Sequence, residues 1–249
     1  MPQQASDGKT LDEQVAEARK NLAPDLLGVV NSVESSIKTN RSPIERGHMY
    51  DSLSHYLGVN KEYVLAAWFL EQKAINTNGS GSDWQMAGER YSSASGFQQD
   101  QRNVGALLDA AIRCFNKALE LEPKNLDAQV GLGMCIVEGT NDPMKGIGMI
   151  LDVVKKDSTN VNAQLALADF SVRRNAPDLA IKRYSTALAL RPDFYGLHLN
   201  IADLYQQMGD TASALMHLEK YVEIETDPIM KNNVENAIRS LRKEKSINQ

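Results

Sequence analysis

The sequence predicts an all-α chain. The expected architecture is an α-solenoid of stacked antiparallel helix hairpins, with extra helices at the N-terminal end and a capping helix at the C-terminal end. Three observations predict it. The stretch "AIRCFNKALELEPKN" at 111–125 returns as "AIKRYSTALALRPDF" at 180–194, each an amphipathic helix stopped at a proline. The positions Pro123, Ser158, Pro192 and Thr226 follow one another at 35, 34 and 34 residues, a period that belongs to helical arrays. The 42% apolar content holds only 6% aromatics, so the core must be mostly aliphatic.

The elements follow in order. Residues 1–9 show no apolar pattern and are expected to be disordered. Residues 10–40 should form two helices. Thr10 and Glu13 make a capping box ahead of Leu11, Val15, Ala18 and Leu22 on one face. Pro24 then opens a segment carrying Leu26, Leu27, Val30, Val33 and Ile37, an apolar face that needs a partner. Ser42 and Glu45 suggest a second capping box, with Pro43 at the first helical position of a helix reaching about Leu57. Asn60 is expected to cap the next helix, which holds Tyr63, Val64, Ala67, Trp68 and Leu70; together 43–78 looks like a degenerate helix pair. The connector "NTNGSGSD" at 76–83 lacks the lysine and spacing of a phosphate-binding loop.

Four repeats follow, at 82–125 with an insertion, 126–160 in a looser form, 161–194 and 195–227. The first helix of each places large, small and large residues at spacings of one and three: Leu132, Gly133 and Ile136, then Leu167, Ala168 and Ser171, then Ile201, Ala202 and Tyr205. The second helix sets small residues seven apart around a bulky one, as in Ala111, Phe115 and Ala118, and in Ala180, Tyr184 and Ala187. Small residues on one face let a neighbouring helix approach, and the bulky side chain fills the hole between them. The loose copy uses Gly146, Ile150 and Val153, and Pro143 and Pro177 open second helices. The insertion "GFQQDQRNVG" should either lengthen the helices or protrude as a loop. Residues 228–243 are expected to cap the last apolar face, and 244–249 to form a frayed tail.

These motifs resemble the tetratricopeptide repeat family, a 34-residue helix–turn–helix with W-x2-L-G-x2-Y, then A-x3-F-x2-A, then proline. The 161–194 copy matches the second half of that pattern, whereas Ser158 and Thr226 replace the proline and Leu197-His198 stands at the tryptophan position. The resemblance implies that first helices line a concave groove. Carried onto this chain, the groove would present Glu89 from the stretched repeat and Val130 and Met134 from the loose one. The third repeat would add Asn162, Leu165, Asp169 and Arg173, and the fourth Leu199, Asn200, Asp203 and Gln206. Val130, Leu165 and Leu199 would form an apolar strip beside Glu89, Asp169 and Asp203, with Arg173 the lone cation. The lysine and asparagine by which some chaperone adaptors of this family grip acidic tails are missing at the matching positions. The turn "NDPMKGI" and the stretched preceding repeat are also similar to a group of bacterial repeat proteins. That likeness implies a native N-terminal membrane anchor, absent from this chain, and a periplasmic rather than cytoplasmic array.

Composition narrows the function. The formal charge of −5, from 32 acidic against 27 basic residues, argues against a general nucleic-acid binder, which needs a basic stripe. No apolar run is long enough to span a bilayer, and the first residues carry no apolar signal segment. Cys114 and Cys135 have no metal-ligand spacing and are expected to be buried. His48 and His55 share a helix face but lack companions for a metal. "GLGMC" and "GIGM" fall inside repeat helices with no strand before them, so they are not nucleotide loops. No catalytic residue, cofactor or metal is therefore expected. The leading expectation is a protein-interaction scaffold that binds a peptide or protein segment in the groove, with apolar anchors and a few Lys or Arg. A self-associating module, joined through the N-terminal helices, is the alternative.

Overall fold

In a computed structural model, the chain is described over the backbone of residues 8–247 and the side chains of 8–243. It is an all-α solenoid-type fold with no strand among the described residues. The chain divides into two compact units, Met1–Ile150 and Leu151–Gln249.

The first unit contains α1 (Leu11–Lys20), α2 (Pro24–Thr39), α3 (Pro43–Val59), α4 (Tyr63–Asn76) and α5 (Gly81–Gly96). A 3-10 turn at Gln101–Asn103 leads into α6 (Val104–Leu121), α7 (Leu126–Gly139) and α8 (Pro143–Lys156). The unit boundary falls within α8. Consecutive helices from α3 to α7 pack side by side. The insertion is resolved by longer helices: α5 and α6 extend toward each other and leave only Phe97–Asn103 between them.

Local chemistry sets the boundaries. The Thr10–Glu13 capping box forms as expected. At α3 only half of the expected box forms: the Ser42 hydroxyl accepts from the Glu45 N–H, while the Glu45 carboxylate takes the Asn40 amide at 2.7 Å. Asn60 ends α3 rather than capping α4, because Lys61 enters the left-handed region at φ 65° and reverses the chain. Ser80 and Asp83 build a capping box at α5 that the sequence reading missed.

The core of this unit explains its small residues. Phe115 is 1% exposed. A Cβ on Gly131 would lie 2.4 Å from its ring, and one on Gly88 3.1 Å from it. The glycines are the space that the aromatic ring fills. α7 and α8 approach so closely that a Cβ on Gly146 would meet the Gly133 carbonyl oxygen at 2.3 Å.

The N-terminal helices dock within the unit. α1 packs against the second helices α4 and α6, and α2 packs against α3. Leu22, Leu26, Val30 and Ile37 are buried with Tyr50, Leu53, Leu57, Leu65 and Phe69. Each such burial contributes roughly 1.5–3 kcal/mol. The apolar face that needs a partner thus finds one in its own chain. Residues 1–7 of the segment expected to be disordered lie outside the described residues. Lys9, by contrast, is anchored: its N–H donates to Asn103 Oδ1 at 2.9 Å. Gln14 Nε2 donates to the carbonyls of Lys9 and Asn103, which ties α1 to the 3-10 turn.

The second unit adds α9 (Val161–Arg173), α10 (Pro177–Leu190), α11 (Leu197–Gln207), α12 (Thr211–Ile224) and α13 (Pro228–Ile247). Each packs on the next. Pro177 occupies the first turn of α10, and Gly209, at φ +79°, closes α11. Ala168, Ala180, Tyr184, Ile201 and Leu204 form one core, and Ala202, Leu215, Leu218 and Ile238 another. α13 covers α12 through Ile238, Val234 and Leu241. It continues helically to Ile247, so most of the expected tail is helix and only residues 248–249 lie outside the described residues.

Candidate interaction surface

The sequence-predicted groove residues separate into three kinds. Some face solvent, some are half-buried, and one belongs to the core. In the first unit, Glu89 on α5 is exposed and accepts from Gln85 Nε2 at 2.7 Å. Gln85 in turn accepts from Asn125 Nδ2 at 2.7 Å, which links α5 to the cap of α7. Met134 is half-buried. Val130 is 2% exposed, so it is core rather than an anchor for a ligand. The reason lies in α7 itself, "LDAQVGLGMCIVEG", which is apolar around nearly its whole circumference and therefore buried on most sides.

In the second unit, Leu165 and Leu199 are half-buried and packed on the two cores, so neither stands free as an apolar anchor. The expected continuous apolar strip is therefore not available. Asn162, Arg173, Asn200, Asp203 and Gln206 are exposed. α10 packs against both α9 and α11 and carries the side chain that holds Asp169 of α9. The Tyr184 hydroxyl donates to Asp169 Oδ1 at 2.5 Å. Burial, then the Asp169 carboxylate, hold this phenol well above its usual range, so it stays a neutral donor. Asp203 accepts from Gln207 Nε2 at 2.7 Å, one turn on. The Arg173 guanidinium lies 5.8 Å over the Phe170 ring.

Other reactive groups are placed as structure. Cys114 and Cys135 are free thiols with no exposed surface. Burial pushes the Cys135 thiol up to about 11; burial and then Glu71 push Cys114 higher still. His198, at the repeat's tryptophan position, is buried, and its Nδ1 lies 2.9 Å from Nδ1 of His217. The sequence reading placed both helices but missed this pair. Among the described residues no group of three or more His, Cys, Asp or Glu could hold a metal ion. No helix among them is long and apolar enough to cross a membrane.

A family model described as tetratricopeptide repeat matches residues 107–125 and 195–228. These two segments carry the tetratricopeptide repeat. The second matched segment holds α11 and α12 with the His198–His217 pair; the first covers most of α6. Two solved repeat structures share the fold. One is TTC0263, a thermophilic repeat protein of Thermus thermophilus, at 15% identity and a TM-score of 0.58, covering 78% of this chain and 98% of that one. The other is a repeat protein of Parabacteroides merdae, also at 15% identity and a TM-score of 0.58, covering 96% of this chain and 89% of that one. No curated protein matches the chain in sequence. At these identities the likeness is one of fold. Repeats of this class form protein-interaction scaffolds: they expose rows of first-helix side chains on a rigid frame.

Proposed function

We propose that this protein is a non-catalytic interaction scaffold whose recognition surface in the second unit is the polar row of α9 and α11. The observation that carries this reading is the hydrogen bond from the Tyr184 hydroxyl of α10, which fixes the Asp169 carboxylate on α9, while Asn200 and Asp203 stand exposed on α11. A carboxylate held in place binds a cation with less entropy lost than a free one. The occupant this suits is a segment bearing one or two Lys or Arg, recognised through hydrogen bonds and charge rather than through deep apolar anchors. Self-association through the N-terminal helices has less behind it, since their apolar face is spent within the unit.

Site-specific photo-crosslinkers at Asn200 and Gln206 test the reading in cells, with Ser185 and Glu219 as exposed control positions on the second helices α10 and α12. The expected result is one protein adduct specific to the α11 positions. Asp203→Lys should reduce it at unchanged thermal midpoint, and the wild-type complex should weaken as salt screens the charge. Identical adducts from both faces, or an α11 adduct indifferent to Asp203→Lys, would refute the assignment.

A further inference from the structure

The N-terminal end of the first unit holds a cavity that the repeat surface does not explain. It measures about 400 Å³, is partly open to solvent, and lies where the ends of α2 and α4 meet the first turns of α3. That volume is in the range of small-ligand sites, roughly 300–1,000 Å³. Its walls divide by chemistry. Tyr50, Trp68, Phe69 and Ile37 make an apolar side, with Trp68 edge-on to Phe69 at 4.9 Å between centroids. The polar lining includes Arg46 and Lys38 with Glu34 and Gln72.

The charge balance of these walls points to an anion. Arg46 is half-buried, and its two Nη atoms each donate to a helix-end carbonyl at 3.1 Å, Asn40 at the end of α2 and Asn76 at the end of α4. These bonds hold the guanidinium in place and leave further N–H donors free. Arg46 pairs with no carboxylate among the described residues, and neither does Lys38. The one carboxylate in the walls, Glu34, is taken by both Nη atoms of Arg19, at 3.0 and 2.5 Å. Two lining cations thus lack a carboxylate partner, in a chain whose formal charge is −5, while Arg19, paired with Glu34, is the cation that lies over the Trp68 and Phe69 rings.

We infer that this cavity binds a monoanionic carboxylate attached to an aromatic or branched apolar group. Arg46 takes the carboxylate, Lys38 closes over it at the mouth, and the apolar group rests on the half-buried Trp68. A fixed guanidinium recognises a planar carboxylate through its fork. The same chemistry is offered by a small aromatic acid and by the free end of a peptide whose last side chain is apolar. The site shares no residue with the surface proposed above, so either can fail alone.

Trp68 reports occupancy directly, and Trp84→Phe leaves it as the single tryptophan. The ligands are 3-phenylpropionate, N-acetyl-phenylalanine, its amide, an acetylated hexapeptide ending in phenylalanine, and phenyl phosphate. Fluorescence titration should give saturable binding of N-acetyl-phenylalanine with Kd at or below about 1 mM. The amide should bind at least about tenfold more weakly. Tighter binding of 3-phenylpropionate than of the hexapeptide assigns the site to small acids, and the reverse order assigns it to chain ends. Arg46→Gln should abolish binding. Lys38→Gln, at an exposed position and so without cost to folding, should weaken it by a few-fold and keeps the test decisive if the arginine variant does not fold. No saturable binding, equal binding of acid and amide, indifference to Lys38→Gln, or stronger binding of phenyl phosphate would overturn the inference.

Discussion

A glycine-to-alanine change inside a helix normally stabilises it, and two such changes two residues apart on α8 should have opposite effects here. Gly148 faces open space: a Cβ there meets nothing within 4 Å. Gly148→Ala should therefore stabilise by about 0.5–1 kcal/mol through helix propensity alone. Gly146 faces α7. A Cβ there would lie 2.3 Å from the Gly133 carbonyl oxygen, 2.7 Å from Val137 Cγ2 and 3.0 Å from the Val137 backbone nitrogen. Two of these three neighbours are backbone atoms, so no rotamer change relieves the clash. The helices must part by roughly 1 Å to reach ordinary contact, and a gap of that size forfeits a quarter to a half of the dispersion energy across the seam. Ile150, fully buried at that seam, loses most. Overpacking of this kind costs about 1–3 kcal/mol, and the propensity gain offsets only part of it. The two variants should thus differ by roughly 1–3 kcal/mol, or a few degrees of Tm at this chain length. Urea and thermal unfolding followed by circular dichroism measure both. If Gly146→Ala stabilises as much as Gly148→Ala, the α7–α8 packing described above is wrong.

The histidine pair makes the second unit acid-sensitive. Burial, then His198 and Lys220, depress His217 to about 4 from an ordinary 6.5, and burial with Lys220 lowers His198 as well. Between those pH values the unfolded chain binds more protons than the folded one, so stability is full above pH 6.5, falls toward pH 4 and levels off below. Because His217 is only half-buried, solvent screening reduces the effect to about 1–2 kcal/mol. His217→Gln should flatten that slope in unfolding midpoints taken from pH 7.5 to 4.5; parallel curves for variant and wild type would refute it. The buried thiols give a further check. With Cys135 pushed up to about 11 and Cys114 higher, both should resist iodoacetamide at pH 8 in the native protein and react in urea, and native labelling at the rate of a free thiol would contradict their burial.

What the sequence revealed, and what it hid, follows from the range of the interactions. Helix starts at Pro143 and Pro177 and the box at Thr10–Glu13 depend on residues within a turn of one another, and they stand where the sequence placed them. The small–bulky–small code was equally legible: Ala111, Phe115 and Ala118 are all buried, while the glycines that make room for the ring, Gly131 and Gly88, come from other helices and were not read. The docking of α1 was not. It rests on Gln14 reaching Asn103, 89 residues away, and no local pattern marks a carbonyl as a distant partner. Asn60 misled for a different reason. An asparagine before a helix reads as an N-cap, but here the reversal at Lys61 made it the end of the helix before.

The groove residues show where register stops being enough. A repeat position gives the direction in which a side chain leaves its helix, whereas exposure depends on what the neighbouring helices bring to that side. On α9 and α11 the polar residues Asn162, Asn200, Asp203 and Gln206 stay exposed. On α7 the same register gives Val130, which is buried, and the warning was already in the helix: a segment apolar around most of its circumference has little solvent face to offer. The same limit hid the pairing of His198 with His217. Nineteen residues separate them, a spacing with no meaning along one helix. The α11–α12 hairpin turns it into a direct contact, so the repeat register carried the signal once position four of the first helix was read against its own second helix rather than as a stand-in for tryptophan.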